Sequence, residues 1–229
     1  MKFTLLLLLA VTLFCQSVEA QIKRSINTVE TLSVTDRLWV SVIPSDRNEV
    51  IIEGELSEQV ELLLAGSELK LKMKAGHYLK GNLARVVIYT PSLSKIIARK
   101  GAELNLEEKS FEGESIQIVA SEGAKVRALL TMKSVDVQVN TGGTVDLLGN
   151  TESLRVVSTA GSSLFAKDLN TQDVFVRVNA GGKAEVFASE SIDAETRVGG
   201  AIDVYGNPKE RKQRQVAGGK INFYGNKSL

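Results

Sequence analysis

Apolar and polar residues alternate along short stretches of this chain, and a glycine turn separates the stretches. The residues that follow the turns show it most clearly: Leu104-Asn105-Leu106, Val126-Arg127-Ala128, Val145-Asp146-Leu147, Ala184-Glu185-Val186, Ile202-Asp203-Val204 and Ile221-Asn222-Phe223. A second alternating stretch precedes each turn, as at 135–139 and 174–178. A period of two is typical of a strand with one buried face. The pattern predicts a repeating unit of strand, glycine turn, strand and second turn.

The glycine turns recur at an almost constant interval. Their first glycines are separated by 22, 19, 19, 20, 18 and 19 residues, and they are Gly101, Gly123, Gly142, Gly161, Gly181, Gly199 and Gly218. A sharp corner requires a positive φ, which glycine adopts at little cost, and we expect it to leave no space for a side chain. At some corners the residue after the first glycine is Ala or Ser instead of glycine. We therefore expect only the first position to require glycine strictly.

Two architectures could use this unit, a series of hairpins or a parallel β-helix with one unit per coil. In a β-helix, equivalent inward positions form columns of like residues. Seven residues before each first glycine the chain has Ser94, Ile116, Val135, Leu154, Val174, Ile192 and Arg211. Five residues before it the chain has Ile96, Ile118, Val137, Val156, Val176, Ala194 and Gln213. Hairpins do not need such matching, so the columns favour an all-β, single-stranded solenoid with coils of about 19 to 20 residues.

The late corners at 198–200 and 217–219, with the stretch 201–208 between them, resemble the putative auto-transporter adhesin, head GIN domain family of exported bacterial proteins. The resemblance covers nearly the whole chain after residue 20, and 32–90 is similar to the family's opening, with strands at 38–42, 50–54, 69–73 and 86–91. It implies a right-handed parallel β-helix similar to pectin-lyase-like folds, without a preserved catalytic centre, and a role in cell adhesion. Gly-Gly often stands here where the family has Gly-Ser-Gly.

The first twenty residues predict a secretory signal peptide, because Lys2 precedes an apolar run and the small-residue site Val18-Glu19-Ala20 follows it. We therefore expect a leader at 1–20 and one β-helix domain at 21–229, less regular over 21–90 and with regular coils over 91–229. The apolar run is shorter than the roughly 20 residues that span a bilayer. The prediction is export to the periplasm or cell surface, without a transmembrane segment. Cys15, the only cysteine, allows a lipid anchor as the less favoured alternative.

The net charge and the isolated motifs give no support for nucleic acid, acidic membrane, zinc or a bound phosphate as a ligand. The net charge is +1, which gives no reason to expect nucleic acid or acidic membrane as the main partner. His77 is the only histidine, whereas zinc sites need several His or Cys ligands. The Gly-Gly-Lys triplets at 181–183 and 218–220 lack the spacing of a phosphate-binding loop. We expect no metal and no cofactor.

The outward column after the corners contains the candidate chemistry. It has Asn105, Arg127, Asp146, Phe165, Glu185, Asp203 and Asn222. Arg127 and Asp146 are expected to form a charge pair between coils. Glu185 and Asp203 are adjacent carboxylates that could bind a cation or act in hydrolysis, although two solvated strand charges are the simpler interpretation.

A basic run near the end of the chain contains Lys209, Arg211, Lys212 and Arg214. It falls where the aliphatic columns fail, which predicts either a looped-out segment or a polar cap on the last coil. Together with Glu185 and Asp203, these four residues are the candidates for surface binding. The basic run could contact an anionic glycan or lipopolysaccharide.

These observations favour a non-enzymatic exported β-helix whose outer surface serves adhesion or binds a polymer, a glycan or another envelope component. The alternative is a carbohydrate-active enzyme, a polysaccharide lyase or hydrolase, on the same scaffold with Glu185 and Asp203 as its carboxylates. A third interpretation is a structural envelope protein without a ligand. The sequence does not determine the ligand or the oligomeric state.

Overall fold

Parallel strands stacked one coil above another build this protein. The computed structural model describes residues 21–225 and has 66% strand and 3% helix, with stacked coils that form a β-solenoid of about 7 turns. The predicted all-β solenoid is therefore confirmed. The predicted leader lies outside the described residues.

The chain begins with short strands: β1 (Ile22–Ser25), β2 (Thr31–Val34), β3 (Trp39–Pro44), β4 (Glu49–Glu53), β5 (Val60–Ala65), β6 (Glu68–Met73), β7 (Arg85–Thr90) and β8 (Lys95–Ala98). The regular coils then comprise β9 (Glu103–Ala120), β10 (Lys125–Val139), β11 (Thr144–Ser158), β12 (Ser163–Asn179), β13 (Lys183–Phe187), β14 (Ser191–Arg197), β15 (Ala201–Tyr205), β16 (Glu210–Val216) and β17 (Lys220–Tyr224). Two 3₁₀ turns lie at Ser57–Gln59 and Gly81–Leu83.

Each coil contributes a segment to each of two faces. The pre-corner face stacks β5, β6, β2, β8, the second halves of β9 to β12, β14 and β16. The post-corner face stacks β1, β4, β7, β3, the first halves of β9 to β12, β13, β15 and β17. From β6 and β7 to the last coil every pairing is parallel, so side chains in register form columns along the rod.

The first coils are not stacked in chain order. The coil of β2 and β3 lies between the coil of β6 and β7 and the coil that enters β9. Strands β1, β4 and β5 pair antiparallel at that end of the rod. The predicted strands over 21–90 exist, and their stacking order differs from their order in the chain because these pairings join residues far apart in sequence.

The core is a set of aliphatic columns. Ile96, Ile118, Val137, Val156 and Val176 are paired in register and fully buried. Burying such a side chain contributes about 1.5 to 3 kcal/mol. The predicted columns are therefore confirmed, and so is their end: β16 places exposed residues over the last apolar layer.

The corners consist of two consecutive left-handed residues. The seven first glycines have φ between 68° and 89°, and the residue before each of them has φ between 48° and 56°. An eighth corner, Asp36-Arg37, has φ of 62° and 61° without any glycine. In successive coils the second corner residue donates its N–H to the carbonyl of the first corner residue in the next coil, as from Gly101 to Glu122 at 2.9 Å and from Gly181 to Val198 at 3.2 Å.

The expected lack of space at these glycines is wrong at six of the seven. A Cβ added at the first glycine of those corners meets no heavy atom within 4 Å, so only the backbone conformation requires glycine there. The crowded position is the next one: a Cβ at Gly200 would lie 2.7 Å from Cγ1 of Val178, and one at Gly143 would lie 2.7 Å from the Ala120 carbonyl oxygen. The second position is therefore demanding where the chain has glycine.

The predicted second turn is absent from four coils. Strands β9 to β12 are 15 to 18 residues long and continue past the second corner, with register shifts near Ala128 and Asp146. Because strand pairing persists through this bend, columns of side chains also persist there. This continuity positions the candidate site.

Candidate functional site

A groove of about 570 Å³ follows the second corner along the rod. Thr131, Asn150 and Asn170 lie in register on β10, β11 and β12 and are exposed. The Asn170 amide donates to Oδ1 of Asn150 at 3.2 Å, which orients both side chains. Hydroxyl and amide groups therefore repeat once per coil, about 4.8 Å apart. We call this surface the corner groove.

The buried hydroxyls of two threonines next to this column form hydrogen bonds with the backbone. The Thr151 hydroxyl is close to the carbonyls of Lys133 and Ser153, both at 3.2 Å, and the Thr171 hydroxyl donates to the Leu169 carbonyl at 3.1 Å. These two threonines therefore anchor the backbone. The exposed asparagines keep polar atoms available to a ligand.

Aromatic side chains continue the surface toward the end of the chain. Phe187 lines the corner groove and is in register with Tyr205, whose ring stacks on that of Tyr224 with centroids 5.2 Å apart. Burial raises the pKa of Tyr205 above its usual value. This column has the apolar faces that sugar rings stack on, next to the amides and hydroxyls of the groove.

A second groove, of about 440 Å³, lies beside it on the pre-corner face. Its lining includes Asp173, Phe175, Ser191, Asp193 and Lys212. Ser191 donates to Asp173, and Lys212 pairs with Asp193 at 2.9 Å. Most of its polar groups are thus committed to one another.

Phe175 is enclosed by two arginines. The guanidinium carbons of Arg155 and Arg177 both lie 4.5 Å from the centroid of the Phe175 ring. Cation–π contacts of this kind hold the planar guanidinium groups in place. The ring of Phe175 is therefore occupied by protein.

The structure brings Glu185 and Asp203 together in register on neighbouring coils, as the sequence predicts. Glu185 accepts from the Lys183 ammonium at 2.8 Å, and Asp203 accepts from the Asn222 amide at 2.8 Å. The hydrogen bond to Glu185 raises the pKa of Lys183. Each carboxylate therefore has its own partner.

The basic run forms the edge strand β16 in register with β14, which is the predicted cap and contradicts the looped-out alternative. Lys209 pairs with Glu190 at 2.6 Å, and Lys212 with Asp193. Arg211 donates to Asn207 and lies 4.9 Å from the Phe223 ring. The ion pairs of Lys209 and Lys212 reduce the positive charge that the run offers to an anionic glycan.

Glu195 forms an ion-pair cluster with Arg177 and Arg197 that the sequence analysis missed. Although it is an outward residue, it is 5% exposed, because Arg177 at 3.3 Å and Arg197 at 2.5 Å cover it. The hydrogen bond from Arg197 lowers the pKa of Glu195, against the opposing effect of burial, and the charges of Arg197, Arg177 and Arg214 lower it further. The strand register alone indicates that Arg177 and Arg214 are neighbours of Glu195.

The predicted pair of Arg127 and Asp146 is confirmed at 3.3 Å.

Two further observations limit the chemistry of the described part of the chain. Within residues 21–225 no three His, Cys, Asp or Glu side chains are placed to hold a metal ion. His77 is half-buried in the loop between β6 and β7, away from the grooves.

Neither of the short 3₁₀ turns within residues 21–225 has the length and hydropathy that a membrane-spanning helix needs.

Stacked parallel coils with shallow polar grooves define the class of this molecule, a β-solenoid with an extended polar outer face. A family model matches residues 29–208, and the chain belongs to the family described as putative auto-transporter adhesin, head GIN domain. This match confirms the resemblance stated from the late corners.

Solved structures share the fold. A putative adhesin from Bacteroides fragilis has a TM-score of 0.84 and 18% sequence identity, with 91% of this chain and 98% of that chain covered. A putative adhesin from Parabacteroides distasonis has a TM-score of 0.72 and 16% identity, with 90% and 96% covered. One from Parabacteroides merdae has a TM-score of 0.64 and 14% identity, with 91% and 97% covered. A search among curated protein sequences finds no match.

Proposed function

We propose that this protein is an exported, non-enzymatic adhesin that binds a neutral polysaccharide lengthwise in the corner groove. The observation that carries the proposal is the column of Thr131, Asn150 and Asn170, which repeats hydroxyl and amide groups once per coil in an open groove of about 570 Å³. A linear polymer of neutral sugars presents repeated hydroxyl groups to such a column. The family described as an adhesin head supports a role in attachment.

Other features of the groove favour a neutral ligand over a charged one. The charged residues in its lining are Lys133 and the exposed Glu152. Lys133 pairs with Glu114 at 2.8 Å, and this contact raises the pKa of Lys133, so the groove offers no unpaired cation to an anionic polymer. Phe187, which lines the groove, and Tyr224, which is 45% exposed, add apolar ring surface at one end. Amides, hydroxyls and aromatic rings together suit sugars, which have polar edges and apolar faces.

The enzyme alternative has less support. A glycosidase needs two carboxyl groups that act on one bond, one of them as a proton donor. Glu185 is paired with Lys183 and Asp203 with Asn222, and both carboxylates lie on the post-corner face, outside the corner groove. We therefore propose binding without turnover.

Export is part of the proposal and rests on the first twenty residues. We propose that the leader is removed after Ala20 and that the adhesin acts in the periplasm or at the cell surface. Sequencing the amino terminus of the protein from cell fractions tests this. A protein that retains residues 1–20 in the cytoplasm would contradict it.

Affinity electrophoresis in gels that contain dextran, glucomannan or polygalacturonate tests the binding proposal. We expect at least one of the two neutral polymers to retard the protein. Asn150→Ala combined with Asn170→Ala should weaken that binding on the order of tenfold, because each lost hydrogen bond contributes about 0.5 to 1.5 kcal/mol. Asn222→Ala is the matched control, since Asn222 is equally exposed but lies on β17 outside the groove.

Three results would contradict this proposal. The first is that neither neutral polymer is bound, and the second is equal binding by the wild type and the double variant. The third is release of reducing ends from any of the polymers, abolished by Glu185→Gln, which would establish the enzyme alternative instead.

A further inference from the structure

One segment of the chain is strongly basic although the whole chain is nearly neutral. Residues 69–102 contain eight Lys and Arg and no Asp or Glu. The segment forms β6, the following loop, β7, β8 and the corner at Lys100. Strands β4 and β5, which pair with β7 and β6, and the turn between them contribute five glutamates. Residues 21–102 together have twelve Lys and Arg and nine Asp and Glu, so this end of the rod has a positive excess of three.

Part of this charge has no acidic partner. Lys70 pairs with Glu68 and Lys72 with Glu61, at 3.2 and 3.0 Å. Among residues 21–225, the exposed side chains of Lys74, Lys80 and Arg37 form no ion pair. Lys74 and Lys80 lie within the loop between β6 and β7, and Arg37 lies beside it.

The same loop exposes large apolar side chains. Tyr78 is 52% and Leu79 is 74% exposed at the middle of the loop, and Leu83 is 41% exposed near its end. Tyr78 and Leu79 line a mainly apolar cleft of about 470 Å³ together with Arg37 and Lys100 of the neighbouring corners. Trp39, which is 45% exposed and lies against Arg85, follows the same corner by two residues. We call residues 74–84 the tip loop.

The tip loop is fixed on the rod. Lys74 donates its N–H to the Gln59 carbonyl, and internal turns join His77 to Lys74 and Lys80 to His77 at 2.9 to 3.1 Å. Gly81 packs on the corner backbone so closely that a Cβ there would lie 2.1 Å from the Asp36 carbonyl oxygen. The backbone that carries the exposed apolar side chains is therefore held in place.

We propose that the tip loop docks the end of the rod on a membrane surface that contains anionic lipid. Tyr78 and Leu79 enter the interface between head groups and acyl chains, and Lys74, Lys80 and Arg37 contact the anionic head groups. Exposed aromatic and aliphatic residues within a basic rim are the chemistry of interfacial membrane binding. The charge complementarity selects a lipid surface over a neutral partner. This site is separate from the corner groove.

Sedimentation with lipid vesicles tests the proposal. We expect the protein to bind vesicles of phosphatidylglycerol mixed with phosphatidylcholine, more weakly in high salt, and to bind vesicles of phosphatidylcholine alone poorly. Leu79→Ser should weaken binding about tenfold, because the side chain loses its apolar burial. Lys74→Gln combined with Lys80→Gln should weaken it about fivefold per charge removed.

The controls use residues far from the tip loop. Val216→Ser removes an exposed aliphatic side chain from β16, and Lys167→Gln combined with Lys220→Gln removes two exposed charges from other coils. Both should bind like the wild type, and thermal unfolding should confirm that all variants are folded. The proposal is overturned if phosphatidylglycerol vesicles do not bind the protein, or if the tip-loop and control variants lose the same amount of binding. Dextran or glucomannan binding in the corner groove should be unaffected by Leu79→Ser.

Discussion

Single residues determine the corners, and two kinds of requirement act there. The first glycine is needed for its positive φ, whereas a second glycine is needed where a neighbouring coil fills the space of a Cβ. The residue before the first glycine is left-handed as well, but Lys, Glu, Thr, Ala and Val all occur there, so its composition carries no signal. The sequence therefore predicts the place of the seven glycine corners, but neither the corner at Asp36-Arg37 nor the left-handed conformation of both residues in each corner.

Val198 and Thr141 are the β-branched residues at this position, and Val198 has φ of 52° with 63% of its surface exposed. Left-handed backbone costs such a residue about 1 to 2 kcal/mol. Val198→Asn should therefore raise the free energy of unfolding by about 1 kcal/mol, measured by urea denaturation, since Asn tolerates this conformation. Val216→Asn, in the extended strand β16, should give no gain. A loss of stability in Val198→Asn would contradict the account of the corners.

At the scale of strands, the register between neighbouring coils was predictable from the sequence, whereas the order in which the first strands stack was not. The alternation and the equal spacing of corners predict which residues of neighbouring coils are paired, and Arg127 with Asp146 is one such pair. The corner groove was missed because a second turn was expected where β10, β11 and β12 continue as strands, which joins Thr131, Asn150 and Asn170 into one column. The insertion of β2 between β6 and β8 was missed because no local pattern encodes pairing across the loops.

The cluster around Glu195 predicts how strand stability depends on pH. The folded-state pKa of Glu195 is lowered. Its contribution to the free energy of unfolding is therefore fully present above the unfolded pKa of about 4.3 and is lost as the pH falls through the folded pKa. Wild type should be more stable than Glu195→Gln at neutral pH, and the difference should shrink below about pH 4. Urea midpoints at several pH values measure this. Glu190→Gln, which removes an exposed pair, should change stability little at any pH, and a Glu195 difference that grows in acid would contradict the assignment.

The whole molecule is a rod with two different ends and an asymmetric outer surface. One end has the basic tip loop and antiparallel strands, and the other has the polar strand β16. The net charge of +1 conceals this difference, because the acid-free segment at 69–102 is balanced by acidic residues elsewhere. The proposed docking at one end and the proposed polymer binding along the side together suit an adhesin.

In the solenoid, each unit of 18 to 22 residues advances the rod by a single strand spacing. Asn105 and Asn222 lie in one outward column, six coils apart. Spin labels on Asn105→Cys and Asn222→Cys should therefore give a distance of about 29 Å by pulsed electron paramagnetic resonance, from six spacings of about 4.8 Å. Units that fold as hairpins would add two strands each and give about 58 Å. A distance near the larger value would contradict the stacked coils and the grooves built on them.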